Sequence, residues 1–142
     1  MIYFEKIVSS QMIADARAAF PDECCGFLFG NETDDGDRHF SKIMVVNNSK
    51  EGDRRRRFEI SAKDYLRAER FADAENLVLL GVYHSHPSHP AVPSEVDRLA
   101  AQPFFSYVIV SVFGDEIREI TSSRLGDDFQ FYPEIIEETQ FA

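Results

Sequence analysis

A chain of 142 residues suits one domain with one hydrophobic core, here 1–142, and is short for two domains of typical size. An apolar share of 44%, with 13 Phe, excludes a disordered chain. A formal net charge of −10 argues against DNA or RNA as the main partner, because phosphate recognition relies on a basic face.

In chain order, Met12, Ile13, Ala16, Ala19 and Phe20 fall at helical spacing behind Ser9 and Ser10. This predicts a helix over 9–20, capped by the serines and stopped by Pro21. Residues 24–30 read as a short buried strand, 31–37 as a polar turn and 39–46 as a second strand. A charged loop over 47–55 leads to Phe58, Glu59 and Ile60, which are expected to form another strand. Within that loop Arg54, Arg55, Arg56 and Arg57 are the one basic exception, either a solvated run or a docking patch for an acidic protein. Ser61 and Asp64 form a capping pattern that opens a helix to about residue 75. A buried strand over 77–84 follows, then a proline-rich turn over 87–93 and a short helix over 94–101. Strands are expected over 107–113, 116–122 and 129–132, and the acidic tail beyond them is expected to be mobile. The order predicts an α/β fold: a mixed or antiparallel β-sheet sandwiched by helices.

No stretch approaches the roughly 18 apolar residues of a membrane span, and the first residues do not resemble a secretory signal. Cys24 and Cys25, the two cysteines, are neighbours, and a disulfide between neighbours is strained. They fit a reducing compartment, so a cytoplasmic protein with no membrane or nucleic-acid partner is expected.

Three of the 4 histidines, His84, His86 and His89, lie close together, and Asp97 follows shortly after. His84 and His86 stand at i and i+2 at the end of a strand, so both imidazoles project from one face. A third ligand from Asp97 would leave a fourth tetrahedral position for water, the mark of a catalytic zinc site. Asp97 also reads as a helix-start residue, with Ser94 as cap, and Ser94 can cap while still pointing its hydroxyl at the site. His89, set among prolines, reads as an exposed rim residue. A metal hydrolase also needs a proton shuttle. Glu23, at the mouth of the 24–30 strand, is a candidate, with an exposed turn residue as the alternative. A His-Glu-x-x-His helix and a Cys-x-x-Cys pair are both absent, which removes two zinc hydrolase classes.

The run from Pro21 to Gly30 that holds Glu23, Cys24, Cys25 and Gly26, followed by His84-Ser85-His86-Pro87, Ser94 and Asp97, resembles the JAMM metalloprotease family, also called MPN+ or JAB. The likeness spans nearly the whole chain and is closest to the small prokaryotic form. It implies a cytidine-deaminase-like sandwich fold, one Zn2+ per chain held by His84, His86 and Asp97, Glu23 as acid/base and Ser94 as oxyanion donor. It further implies a peptidase or isopeptidase acting on the tail of a ubiquitin-like protein, first of all a sulfur carrier. The alternatives are a deconjugating protease of a bacterial tagging system and a binding module that does not cut.

Overall fold

The computed structural model describes residues 1–137. Its elements are β1 (Ile2–Phe4), α1 (Lys6–Ala19), β2 (Cys25–Glu32), β3 (Arg38–Val46), α2 (Ala62–Glu75), β4 (Val78–Pro87), α3 (Glu95–Ala100), β5 (Ser106–Phe113), β6 (Glu116–Leu125) and β7 (Phe131–Glu134). The strands form one sheet in the order β1-β3-β2-β4-β5-β6-β7. β1 pairs with β3 and β4 with β5 in parallel, and the other pairings are antiparallel. The predicted α/β class and the mixed, largely antiparallel sheet are therefore observed.

Alternation along the central strands divides the core between the two faces. Leu28, Tyr83, Val108 and Val110 point to one side, where they pack with Val8, Met12 and Ala16 of α1. Phe27, Phe29 and Val82 point to the other, against Ala68 and Ala72 of α2. Both faces of the middle strands are thus dry, which is why β2 and β4 read as continuous apolar runs rather than alternating ones. α2 starts where its capping pattern places it, with the Asp64 amide donating to Ser61 Oγ at 3.1 Å, and ends on Asn76 in the left-handed region.

Four expectations are corrected. α1 begins at Lys6 rather than at the serines; its N-cap is Glu5, with no side-chain cap. Ser9 lies buried inside the helix and donates to the Lys6 carbonyl at 3.2 Å, so packing of Val8 and Met12, not a serine cap, sets the start. Residues 58–60 form no strand. Their backbone is pinned instead to residues just past the end of β3: the Glu59 amide donates to Asn48 Oδ1 at 3.1 Å and the Glu59 carbonyl accepts from the Ser49 amide at 2.9 Å. Phe129 has positive φ and belongs to the turn, so the last strand begins at Phe131. The tail expected to be mobile is partly tied down, since the Ile2 amide donates to the Ile135 carbonyl and the Glu137 amide to the Ile2 carbonyl. The remainder of that tail, 138–142, lies outside the described residues. β1 itself, three residues long, carried too little periodicity to be predicted.

Gly26 is a point of close approach between β2 and both of its neighbours. A Cβ there would collide with the Met44 carbonyl and the Tyr83 ring. Gly26→Ala is expected to destabilise the fold by about 1–3 kcal/mol, as overpacked cores do. The midpoint of a urea transition checks this, and an unchanged midpoint would show that the strands can part.

Candidate active site

β4 carries His84 and His86 onto the α2 face of the sheet, at the carboxyl end of its parallel pairing with β5. On its other side β4 runs antiparallel to β2, with Cys25 opposite His84. Two further bonds extend that register past the ladder: the Ser85 amide donates to the Cys24 carbonyl at 3.2 Å, and the Cys24 amide to Ser85 Oγ at 2.8 Å. Continuing the pairing by one residue sets Glu23 across from His86. Its side chain is buried and lines the same cavity as His86 and Ser94.

The chain then reverses through the proline-rich segment, which is fastened to the sheet at several points. The Ser88 amide donates to the Val112 carbonyl, Ser111 Oγ to the His89 carbonyl and Thr121 Oγ1 to the Ala91 carbonyl. This delivers the start of α3 to the two imidazoles. Ser94 and Asp97 form a reciprocal capping box: the Asp97 amide donates to Ser94 Oγ at 3.0 Å and the Ser94 amide to Asp97 Oδ2 at 2.8 Å. The same carboxylate reaches both histidines, with Oδ1 3.3 Å from His84 Nε2 and Oδ2 3.3 Å from His86 Nε2. The two readings of Asp97 are therefore compatible: Oδ2 caps the helix while both oxygens face the imidazoles.

These side chains fit a divalent cation. The two Nε2 atoms are 3.1 Å apart. Tetrahedral bonds of about 2.0–2.1 Å place ligand atoms roughly 3.3–3.4 Å from one another, close to the three spacings observed. His86 Nδ1 lies 2.9 Å from the Pro90 carbonyl, which can only accept, so Nδ1 carries the proton and Nε2 presents a lone pair to the centre. Two imidazole nitrogens this close repel unless a proton or a cation lies between them. His84 Nδ1 is buried and has no partner among the described residues.

Without a cation, the electrostatics favour a neutral His84 and an ionised Asp97, while His86 leans toward its protonated form. Burial lowers the pKa of His84 and so favours the neutral imidazole that a metal requires. For His86 burial also works downward, but the bonds to Asp97 and to the Pro90 carbonyl outweigh it and raise the pKa. Burial alone would raise Asp97, yet the bonds from His84 and His86 hold its carboxyl well below the usual range. Glu23 behaves oppositely: burial pushes it up to about 8, against the attraction of His86. A cation at the centre would favour its carboxylate form. Ser94 Oγ already accepts from the Asp97 amide, which leaves the hydroxyl proton free to donate into the cavity.

The centre lies between two halves of a cleft. On one side a cavity of about 400 Å³ is lined by Glu23, His86, His89 and Ser94. On the other a cavity of about 470 Å³ is lined by Phe58, Ile60, His84, Asp97 and Tyr107. Arg56 and Arg57 border both. His89 is exposed, as its rim position among prolines predicts. Three contributors were not predicted. Phe58 stacks on the His84 ring with centroids 4.4 Å apart. The Pro90 carbonyl sets the tautomer of His86. Asn48 Nδ2 donates to the carbonyls of Glu23 and Arg57 and so ties the arginine loop to the site. No spacing in the sequence signals Asn48, because its partners lie 25 and 9 residues away and are reached only by folding.

The fold and the site define an α/β protein with a three-donor centre opening on a cleft. The chain belongs to the family described as prokaryotic homologs of the JAB domain, whose model matches residues 5–125. It is 33% identical over 118 residues to a CysO-cysteine peptidase of Mycobacterium tuberculosis, covering 82% of this chain and 77% of the relative. It is also 33% identical over 92 residues to a desampylase of Pyrococcus furiosus, covering 65% of this chain and 54% of that one. Among solved structures, a protein of Desulfitobacterium hafniense superposes with a TM-score of 0.83 at 32% identity, covering 98% of this chain and 94% of its own. A JAB1/MPN domain protein of Archaeoglobus fulgidus superposes with a TM-score of 0.56 at 17% identity, covering 97% and 100%, and supports the fold alone. No helix among the described residues is long and apolar enough to cross a membrane.

Proposed function

We propose that the chain is a zinc peptidase that hydrolyses the bond at or just beyond the C-terminal tail of a ubiquitin-like protein, with a sulfur carrier as its substrate. The observation that carries this reading is the convergence of His84, His86 and Asp97 beside a cavity lined by Glu23 and Ser94. The likeness to a CysO-cysteine peptidase supports the carrier as substrate. The likeness to a desampylase supports a second reading, removal of a ubiquitin-like tag from modified proteins.

His84 Nε2, His86 Nε2 and an Asp97 oxygen would hold one Zn2+ per chain. Zinc when bound supplies Lewis acidity toward a water and toward the scissile carbonyl. Glu23 takes the proton of the attacking water and returns it to the leaving amine. The Ser94 hydroxyl donates to the oxygen on which charge develops. Segment 58–60 borders the half of the cleft in which the flexible tail lies as an added strand. A cytoplasmic site of action fits the two free, buried cysteines.

The test is incubation of the protein with a Gly-Gly-terminated sulfur carrier bearing a tail extension, read by mass spectrometry. Cleavage is expected at the glycines, is expected to stop after chelation and dialysis, and is expected to return with one equivalent of zinc. Undiminished cleavage by protein verified as metal-free would overturn the zinc assignment.

A further inference from the structure

The run Arg54 to Arg57 is a local excess of positive charge in a chain of net charge −10. Its backbone is fixed against the site at both ends. The Glu23 amide donates to the Arg54 carbonyl at 2.7 Å, and Asn48 Nδ2 bridges the carbonyls of Glu23 and Arg57 at 3.2 and 3.0 Å. The guanidinium groups differ in what they do. Arg54 is occupied, donating through Nε to the Lys50 carbonyl at 2.8 Å. Arg56 has only Asp53 within reach, at 3.8 Å, and its side chain is 76% exposed. Arg57 makes one long contact, 3.4 Å to the Arg56 carbonyl, and has no carboxylate within 4.0 Å among the described residues. Arg56 and Arg57 are thus two tethered cations with unfilled donors, on the border of a cavity that also holds Glu23 and Ser94.

Which part of a substrate meets them follows from the proton transfer. The leaving amine must come within hydrogen-bond reach of Glu23, so the residue that departs occupies the Glu23 side of the cleft. When that residue is the last of its chain, its α-carboxylate is two bonds from the departing nitrogen. A carboxylate there matches the planar fork of a guanidinium, which binds it through two parallel hydrogen bonds. A lysine side chain joined through an isopeptide bond brings no carboxylate to that place.

We propose that Arg56 and Arg57 bind the free α-carboxylate of the residue released, and that they make the site selective for short C-terminal extensions over amidated or isopeptide-linked ones. The inference rests on the peptidase reading above. It is tested with the Gly-Gly-terminated sulfur carrier of the same genome, extended by one cysteine and prepared as the free acid and as the C-terminal amide. Wild-type protein is expected to prefer the acid by about tenfold or more in kcat/KM, chiefly through KM, as expected for loss of charge-assisted hydrogen bonds. In the R56A/R57A double variant the acid-to-amide ratio should fall to within about twofold of one, and R56K/R57K should recover part of it, since lysine keeps the charge but loses the fork. A wild-type ratio near one overturns the proposal, as does a double variant that slows both substrates equally while keeping the ratio. The latter result would assign the arginines to loop structure or to the charge around Glu23. Zinc-loaded protein that cuts neither substrate would instead bring down the peptidase reading, and this inference with it.

Discussion

Glu23→Gln is expected to keep its zinc and to lose cleavage of a tail-extended carrier by about 10²–10⁴-fold, the range over which a positioned acid/base acts. The substitution changes one oxygen to an amide nitrogen, so shape and packing at this buried site are kept. What disappears is the ability to take a proton from water and give it to an amine. The wild-type carboxyl, pushed up to about 8 by burial, is poised between its two forms near neutral pH, and a neighbouring cation favours the carboxylate. The sign of the pH dependence follows. Glu23 must start as the carboxylate, so kcat/KM should rise with pH through its ionisation, and that limb should vanish from the residual rate of the glutamine variant. Metal content per chain, thermal midpoint and cleavage rate together read the outcome. Equal cleavage by both proteins would remove Glu23 from the mechanism.

Asp97→Ala, like His84→Ala, is expected to reduce bound zinc after dialysis from about one per chain to almost none, and cleavage with it. Asp97 does two tasks, so the alanine variant also loses the reciprocal cap at Ser94, which typically stabilises by about 1 kcal/mol. Asp97→Asn separates the tasks. Its amide oxygen can still accept from the Ser94 amide, while the negative charge facing the two imidazoles is gone. Far-ultraviolet circular dichroism is expected to stay that of the wild type. A ligand present at 100 times its Kd stabilises a fold by about 2.7 kcal/mol, so zinc should raise the wild-type melting midpoint and leave that of Asp97→Asn nearly unchanged. Stoichiometric zinc retained by the His84 and Asp97 variants would reject the ligand set.

These variants probe residues that differ in how far the sequence alone reveals them. His84 and His86 share a face because a strand alternates every second residue, and that follows from spacing. Ser94 and Asp97 meet because a helix start pairs residues three apart, which is also local. The same holds for α2, whose cap at Ser61 and apolar side are both written within its own length.

Glu23 stands differently. It lies 61 residues before His84 in the chain, and nothing in its neighbourhood tells an exposed turn residue from a buried acid that shares a cavity with His86. The antiparallel register of β2 on β4 decides it, because Cys25 opposite His84 and the Ser85 bonds to Cys24 set Glu23 across from His86. The 58–60 segment forms no strand for a related reason: its bonding partners are Asn48 and Ser49, just past the end of β3, rather than a strand of the sheet. Local periodicity and capping involve residues up to four apart and survive in the linear chain. Strand pairing, burial of a charge and the closure of a loop over a cleft depend on groups tens of residues apart, which only packing of the whole sheet between α1 and α2 brings together.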